Sequence, residues 1–457
     1  MQSVLAKLSL CRTRALGGQS FQCNDCSEVT DVYHSCGDRH CPQCSGCKRY
    51  DFAQRAEQLI LDGVTYYQVV FTLPSVLSEL ALANREAIAD LLFEAAALSL
   101  RKTIRCQQQY DPASMMVLHT WNQQLQPHWH IHALVPGGGP SLTGDQWKSA
   151  QAPPDANNSD DYYLVDAISL REAFRKAALS RLKKLYIKDQ LKFSGKLEYL
   201  KHQSAWNTLC DELADIDWVS FIQPPPTKTS TAEQIVRYLT RYLTGGPISD
   251  GRILAADNNH VTFLAREGVR VGGERQQVPE TIPTIEFVRR WCLHIQPDQL
   301  TKTRYFGGWS CHQRTNYHAT CRRLLGLDQN SQAEPQIEMP EPASSLDTES
   351  NEATEPESQF QCAACCSHKL SIIGQTPKPS WSELLTHEDD RCPEWYAVSE
   401  YAEFCNYLES VYGISYSDWY LEMRQESTMS EPLQSAPSQP QSAQQLYLPG
   451  FAPRVAT

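Results

Sequence analysis

Histidines occupy every second position of one predicted strand in this chain, and that pattern constrains the fold around it. His128, His130 and His132 project to one side of the strand, because successive side chains alternate between its faces. A short polar turn joins this strand to a preceding one, which predicts a β-hairpin. The turn is centred between residues 124 and 125, so His119 should lie opposite His130 on the same face. The sequence therefore predicts a β-hairpin that carries four imidazoles on one face.

Three of these histidines have the spacing to share a metal ion. His119, His130 and His132 would form a triangle that leaves coordination positions open for a phosphate oxygen and water, as in a catalytic rather than a structural site. Gln234, on a later predicted helix, is a rival third ligand. The alternative is that the histidines only pack in the core or at the surface. Burying several imidazoles without partners is costly, and this favours the metal site.

Two tyrosines four residues apart lie on a helix that a capping box at Ser230 predicts. Tyr238 and Tyr242 share one face of that helix. A phenol is a poor nucleophile at neutral pH, but a nearby divalent cation favours the phenolate, which can attack a phosphate. The alternative is a pair of aromatic rings packed on a core.

The basic residues are concentrated in the body of the chain. Residues 1–330 carry 36 basic and 33 acidic residues, whereas the remainder carries 5 basic and 20 acidic residues. A mildly basic body with an acidic tail fits a DNA-handling protein, although the tail could also serve solubility alone. The predicted DNA contacts lie on the tyrosine helix and on a basic helix at 166–188; they are Arg237, Arg241, Arg175, Lys176, Arg181 and Lys184.

Seven of the 17 cysteines lie between Cys11 and Cys47. The chain start has no apolar stretch typical of a secretory signal, so these cysteines indicate metal rather than disulfides. The spacing of Cys23-x2-Cys26-x14-Cys41-x2-Cys44 predicts a two-knuckle zinc ribbon. The other head residues are either spare thiols or ligands of a second Zn²⁺, for which the candidates are Cys11, Cys36, His40 and His34. Cys362-x2-Cys365-Cys366, far along the chain, is a further hint of metal binding.

The order of predicted elements defines the fold class. Strand, helix, hairpin, two helices, strand and helix follow one another, which implies an α+β fold with an antiparallel sheet and helices on one face. We predict a zinc-binding domain at 1–52, a catalytic domain at 53–327, a disordered linker at 328–360, a small segment at 361–425 and a disordered tail at 426–457. A Walker A motif and a long apolar run are both absent from the sequence, so we expect a cytoplasmic protein that uses neither ATP nor a membrane.

Several motifs together resemble the two-tyrosine rolling-circle transposases of bacterial insertion sequences, of the insertion-sequence-ninety-one type. The resemblance runs from about Cys11 to Leu325. It includes Pro127-His-Trp-His-Ile-His132, Tyr238-Leu-Thr-Arg-Tyr242, Phe287-Val-Arg-Arg290 and Arg304-Tyr-Phe-Gly307. It implies an HUH endonuclease core in which His130 and His132 are the metal-binding pair, Mg²⁺ or Mn²⁺ is the ion, and Tyr238 and Tyr242 are the nucleophiles.

The expected function is that of a transposase. It would nick and rejoin single-stranded DNA or DNA hairpins at the ends of its own element, and join them to target DNA, through a 5′-phosphotyrosine intermediate. One alternative is a rolling-circle replication initiator of a plasmid or phage with the same chemistry. Another is a non-catalytic zinc-ribbon regulator that only binds DNA.

Overall fold

A computed structural model of the chain describes residues 2–44, 53–153, 163–223, 246–266, 277–327, 361–386 and 389–397. The chain separates into two compact units, described one at a time below. The first comprises Met1–Cys44, Ile253–Thr262 and Glu341–Thr457, and the second comprises Ser45–Arg252 and Phe263–Pro340. No helix in the described ranges is long and apolar enough to cross a membrane. The predicted tyrosine helix, the predicted linker and the predicted tail fall outside the described residues.

The regular elements are numbered in chain order. The helices are α1 (Gln2–Ser9), α2 (Ser78–Ala83), α3 (Arg85–Gln107), α4 (Ala167–Ile187), α5 (Gln203–Asp215), α6 (Thr284–Cys292), α7 (Arg314–Leu324), α8 (Trp381–Leu384) and α9 (Glu394–Ala397). The strands are β1 (Gly18–Cys23), β2 (Val29–Tyr33), β3 (Tyr66–Thr72), β4 (Ala113–Trp121), β5 (Pro127–Pro136), β6 (Gly138–Pro140), β7 (Trp147–Ser149), β8 (Val219–Gln223), β9 (Ile253–Ala256), β10 (His260–Arg266), β11 (Gln277–Pro283), β12 (Thr303–Gly307) and β13 (Leu370–Thr376).

The second unit is built on a five-stranded sheet in the order β12-β4-β5-β3-β8. Every neighbouring pair in it is antiparallel, so the predicted sheet type is confirmed. The central strand β5 lies between β4 and β3. The histidine-bearing strand is thus hydrogen-bonded along both edges, which holds its side chains in a rigid register.

Alternating side chains divide the sheet into two faces with different cores. Phe71, Leu118 and Ile131 project to the face that packs against α3, α4 and α5 in the larger core. The opposite face carries the histidines at one end and a smaller core at the other, which includes Leu134 and Cys321 of α7. The expectation of helices on one face is therefore correct for the large core and wrong for α7, which covers part of the histidine face.

Two local features of this unit depend on contacts between distant residues. α2 and α3 are separated at Asn84, whose side chain accepts from the Lys192 amide (2.6 Å) and donates to the Leu80 carbonyl (3.0 Å). Gly138 and Gly139 belong to β6, which pairs with β7. A Cβ on Gly139 would lie 2.6 Å from the Asp111 carbonyl oxygen, so close strand packing explains that glycine.

The first unit contains a three-stranded sheet in the order β13-β1-β2. β1 and β2 form a hairpin in the head, and β13 comes from the segment that begins at residue 361. The register pairs Gly18 with Thr376 and Cys23 with Leu370. Residues predicted to form separate N-terminal and C-terminal domains therefore share one sheet.

Candidate functional site

The β4–β5 hairpin has the register that the sequence predicts. His119 is the direct partner of His130, and Val117 is the partner of His132. The pairing shifts by one residue between His119 and Trp121, which is a bulge beside the first histidine. The prediction that His119 lies opposite His130 is confirmed.

The three histidine rings form a compact group. Ring centroids lie 5.4 Å apart for His119 and His130, 4.7 Å for His119 and His132, and 4.8 Å for His130 and His132. One nitrogen of each ring lies within 4.8 Å of the others, a spacing that fits a shared metal ion. His128 is 5.0 Å from His130 by ring centroids but does not belong to this group. Gln234, the rival ligand, lies outside the described residues.

Burial favours the neutral form of His130 and His132. Burial lowers the pKa of His130 well below its usual range, and the neighbouring His132 and His128 lower it further. Burial, with a smaller contribution from His128, lowers the pKa of His132 to about 4. A neutral imidazole has a lone pair for a cation, so the site is ready to bind an ion near neutral pH.

Hydrogen bonds orient two of the three rings. Nδ1 of His130 lies 2.8 Å from the backbone oxygen of His128 and donates to it, which leaves Nε2 as the ligand atom. Nδ1 of His132 lies 2.7 Å from the amide nitrogen of Gln68 on β3, whereas the amide oxygen of Gln68 is buried without a hydrogen-bond partner. Exchanging these two amide atoms places the oxygen against Nδ1–H and gives it a partner, so we assign Gln68 as the acceptor and Nε2 of His132 as the atom available for a metal.

The turn of the hairpin is held by donors from distant parts of the chain. Three consecutive backbone carbonyls, those of residues 123 to 125, each accept a hydrogen bond from a different side chain. The donors are Nη2 of Arg252 (2.6 Å), Nη1 of Arg290 (3.1 Å) and Nε2 of His294 (2.9 Å). Leu125 has a φ of 62°, and these bonds help to hold that unusual backbone conformation.

His294 is part of a buried chain of hydrogen bonds. Because its Nε2 donates to the Leu125 carbonyl, Nδ1 is the acceptor and lies 3.2 Å from the Thr120 hydroxyl. The Thr120 oxygen in turn accepts from Nε2 of Gln296 at 3.2 Å. Burial lowers the pKa of His294 to about 4, which maintains the neutral tautomer that this network requires.

The predicted DNA contacts divide into three groups. Arg175 bonds to the Ala214 carbonyl and to Glu172 (2.7 Å), and Arg181 forms an ion pair with Glu94 (2.5 Å). Both arginines therefore have intramolecular partners. Lys176 and Lys184 are exposed on α4. Arg237 and Arg241, together with the candidate nucleophiles Tyr238 and Tyr242, lie outside the described residues.

The head cysteines form two clusters rather than the predicted ribbon. One cluster consists of Cys11, Cys36, Cys41 and Cys44, and the other consists of Cys23, Cys26, Cys362 and Cys365. The grouping of Cys23 and Cys26 with Cys41 and Cys44 is thus wrong. β1 and β2 explain this, because Cys23 and Cys26 lie at the turn of that hairpin while the other pair follows its open end, about 15 Å away along the strands.

His40 was predicted to be a zinc ligand but lies outside both sulfur clusters. Its Nδ1 atom is 2.9 Å from the carboxylate of Asp38, and the ring is buried. Four thiols already complete a tetrahedral set in the adjacent cluster, so a structural zinc ion there needs no imidazole.

Sequence reasoning missed the residues that support the histidine site. Gln68 is a polar residue within a run of apolar β3 residues, and a buried polar side chain in such a run is a signal that could have identified it. Arg290 belongs to Phe287-Val-Arg-Arg290, one of the motifs on which the family resemblance depends. Arg252 and His294 have no such signal, because their partners are backbone carbonyls more than 100 residues away.

Comparisons with known proteins agree with this geometry. A family described as "Putative transposase" matches residues 114–316, and a second described as "Transposase zinc-binding domain" matches residues 1–73. The putative transposase y4qJ of Sinorhizobium fredii is 33% identical over 336 residues, which are 73% of this chain and 80% of that protein. The transposase for insertion sequence element IS801 of Pseudomonas savastanoi pv. phaseolicola is 26% identical over 310 residues, which are 66% of this chain and 68% of that protein.

The residues matched by the first family include the histidine hairpin. Those matched by the second include the cluster of Cys11, Cys36, Cys41 and Cys44. The similarity to y4qJ extends over most of both chains. The chain therefore belongs to the transposase family of bacterial insertion sequences, of the insertion-sequence-ninety-one type, with a transposase zinc-binding domain at its N-terminus.

Proposed function

We propose that this protein nicks and rejoins single-stranded DNA at the ends of its own insertion sequence, with Tyr238 and Tyr242 as nucleophiles. The observation that carries the proposal is the group formed by His119, His130 and His132 on adjacent strands. Three imidazoles facing one point form a catalytic type of metal site, because the protein supplies only part of the coordination sphere.

The path of the chain supports a role for the tyrosines at this site. β8 is the last described strand before the tyrosine segment, and it ends at Gln223. Gln223 is paired with Gln68 on β3, and the Gln68 side chain contacts His132. Gln223, the last described residue before the tyrosine segment, therefore lies near the histidine group.

The histidines would hold a divalent cation, Mg²⁺ or Mn²⁺. Such a cation, when bound, neutralises charge that develops on the phosphate oxygens. Gln68 and the His128 carbonyl orient the ligand rings. Arg252, Arg290 and His294 stiffen the turn, and this keeps the two strands of the triad in register.

The reaction conserves the energy of the broken bond. A tyrosine oxygen attacks the scissile phosphorus, and the bond from phosphorus to the 3′ oxygen breaks. The products are a 5′-phosphotyrosine ester and a free 3′-OH, and the phenol proton ends on the departing oxygen. A 3′-OH can later attack the ester, so rejoining needs no ATP, in agreement with the absence of a Walker A motif from the sequence.

The second tyrosine would allow a second cleavage while the first ester persists. Tyr238 and Tyr242 are four residues apart, which corresponds to about 6 Å along one face if the predicted helix forms. Two strands could then be held at one metal site during strand exchange. The two relatives described above are both transposases by name, which favours this function over a replication initiator.

Other parts of the protein would bind DNA and maintain the fold. The exposed Lys176 and Lys184 are proposed phosphate contacts, and so are Arg237 and Arg241 beside the tyrosines. The first cysteine cluster, formed by four buried thiols, would hold a structural Zn²⁺.

The test is a denaturing gel of adducts between the protein and labelled single-stranded oligonucleotides from the element ends. We expect adducts with the 5′ side of the cut strand for the wild type, Tyr238→Phe and Tyr242→Phe, and none for the double variant. Phenylalanine keeps the ring and its packing area, so the fold should survive. Adducts formed by the double variant would place the nucleophile elsewhere and overturn the proposal.

A further inference from the structure

We propose that Cys23, Cys26, Cys362 and Cys365 bind a zinc ion that joins the two ends of the chain into one domain. The zinc-binding family covers only residues 1–73, so it includes half of this ligand set. The sulfurs of Cys23 and Cys365 are separated by 342 residues in sequence, and those of Cys26 and Cys362 by 336. This site is distinct from the cluster of Cys11, Cys36, Cys41 and Cys44.

The sulfur positions match a tetrahedral metal site. Cys23 Sγ lies 3.5 Å from Cys365 Sγ, Cys26 Sγ lies 3.5 Å from Cys362 Sγ, and all four sulfurs lie within 4.8 Å of one another. With Zn–S bonds of about 2.3 Å, the edge of a tetrahedron is about 3.8 Å. A disulfide would need a separation of about 2.05 Å, so the arrangement fits a metal and not a pair of disulfides.

Both Cys-x2-Cys loops have the same backbone hydrogen bonds, as expected for two zinc knuckles. In the first, the Cys23 amide donates to the Glu28 carbonyl (2.8 Å) and the Ser27 amide donates to the Cys23 carbonyl (2.9 Å). In the second, the Cys362 amide donates to the Ser367 carbonyl (2.8 Å) and the Cys366 amide donates to the Cys362 carbonyl (2.8 Å).

The residue after the second cysteine also has the same conformation in each loop. Ser27 has a φ of 63° and Cys366 a φ of 59°, both in the left-handed region that non-glycine residues seldom occupy. The two loops therefore agree in backbone conformation as well as in hydrogen bonding. The comparison also assigns a role to Cys366, which forms the bend of the knuckle and is not a ligand.

Contacts outside the sulfurs hold the two knuckles together. The Asn24 amide donates to the Lys369 carbonyl (2.9 Å), and the Ser367 hydroxyl donates to the Asp25 carboxylate (2.7 Å). The β1–β13 ladder continues from Cys23 and Leu370 away from the site. Hydrogen bonds therefore hold the Cys362–Cys365 loop against the Cys23–Cys26 loop, in addition to the proposed zinc ion.

The test counts metal ions in the full-length protein. We expect two zinc ions per chain in the wild type by elemental analysis and one in Cys362→Ser/Cys365→Ser. Cys366→Ser is the matched control, because it removes a thiol from the same segment without removing a ligand, and it should retain two. A zinc content in the double variant equal to that of the wild type, one zinc ion in the wild type, or iron in place of zinc would each overturn the proposal.

A conservative variant addresses the risk that the double variant fails to fold. Cys365→His replaces a thiolate by an imidazole, which also binds zinc, so it should retain two ions. After replacement of zinc by cobalt, its absorption should shift to shorter wavelength and lose sulfur-to-cobalt charge-transfer intensity relative to the wild type. An unchanged cobalt spectrum would show that Cys365 is not a ligand. This result is independent of DNA cleavage, so the inference can fail while the proposed function stands.

Discussion

The side-chain amide of Gln68 on β3 lies 2.7 Å from Nδ1 of His132 on β5, and Gln68 is buried. This contact crosses between adjacent strands of the central sheet, in which Val70 is the direct partner of His132. A histidine ligand needs a partner for its second nitrogen, and Gln68 supplies it. The residue is thus a support for the metal site rather than a ligand.

Replacement of Gln68 tests that support. Gln68→Leu should raise the cation concentration needed for half-maximal cleavage by about 10–100-fold, because His132 loses the partner that orients it. Gln68→Glu should retain most of the affinity, since its carboxylate accepts from Nδ1–H. Cleavage of a labelled oligonucleotide, titrated with Mn²⁺, measures both. An identical titration for Gln68→Leu and the wild type would remove Gln68 from the site.

Alanine variants of the three histidines test the ligand set. His119→Ala, His130→Ala and His132→Ala should each lower the cleavage rate by more than about 100-fold, because several kcal/mol of transition-state stabilisation are lost. DNA binding should persist, since the basic surface is unchanged. His128→Ala is the control, because this residue lies on the same strand but outside the group of three. Normal cleavage by His119→Ala would show that another residue is the third ligand.

The nitrogen donors of the histidine group predict which divalent cation supports cleavage at the lower concentration. Imidazole nitrogen binds Mn²⁺ more readily than Mg²⁺, which strongly prefers oxygen ligands. With three imidazoles as the protein ligands, half-maximal cleavage should need less Mn²⁺ than Mg²⁺. Parallel titrations with the two cations after removal of bound metal decide this. Equal requirements would argue for oxygen ligands from outside the described residues.

Arg290 and Arg289 offer a matched pair for the turn of the hairpin. Arg290 is 17% exposed, donates to the Gln124 carbonyl and also pairs with Glu286 and Glu280, whereas Arg289 is 48% exposed and pairs with Glu286. Arg290→Leu should lower the free energy of unfolding by about 1–3 kcal/mol, because these partly buried acceptors lose their donor. Arg289→Leu should cost less than about 1 kcal/mol, as expected of an exposed ion pair. Urea unfolding measures both, and equal losses would contradict the assigned role of Arg290.

The lowered pKa of His294 predicts that the free energy of unfolding decreases in acid. Burial lowers its pKa to about 4 in the folded protein, while the unfolded chain has a value near about 6.5. The unfolded state therefore binds the proton first, and stability falls as pH drops from about 6.5 to about 4, by up to about 1.4 kcal/mol per pH unit. His130 and His132 contribute with the same sign when no metal is bound.

The measurement is the urea midpoint of the wild type and His294→Gln at about pH 7.5 and about pH 5. The variant keeps an N–H donor for the Leu125 carbonyl but has no group that titrates in this range. Its midpoint should fall less on acidification than that of the wild type. An equal fall in both proteins would show that His294 does not contribute to the acid sensitivity.

Local patterns in the amino-acid sequence were enough to predict the geometry of the histidine site. The alternation of His128, His130 and His132 and the position of the turn sufficed to place His119 opposite His130, because both features act over a few residues. The order of the predicted elements likewise sufficed to predict an antiparallel sheet. Tyr238 and Tyr242 remain predictions, supported by their spacing and by family membership.

The grouping of the cysteines into two clusters, by contrast, depends on how the folded strands are arranged. The spacing of Cys23, Cys26, Cys41 and Cys44 fits a ribbon, yet the β1–β2 hairpin separates the two pairs and brings Cys362 and Cys365 to the first of them. No sequence pattern indicated that Arg252 and His294 donate to the β4–β5 turn. Contacts between residues hundreds of positions apart depend on how whole strands pack, and no local pattern of residues records that packing.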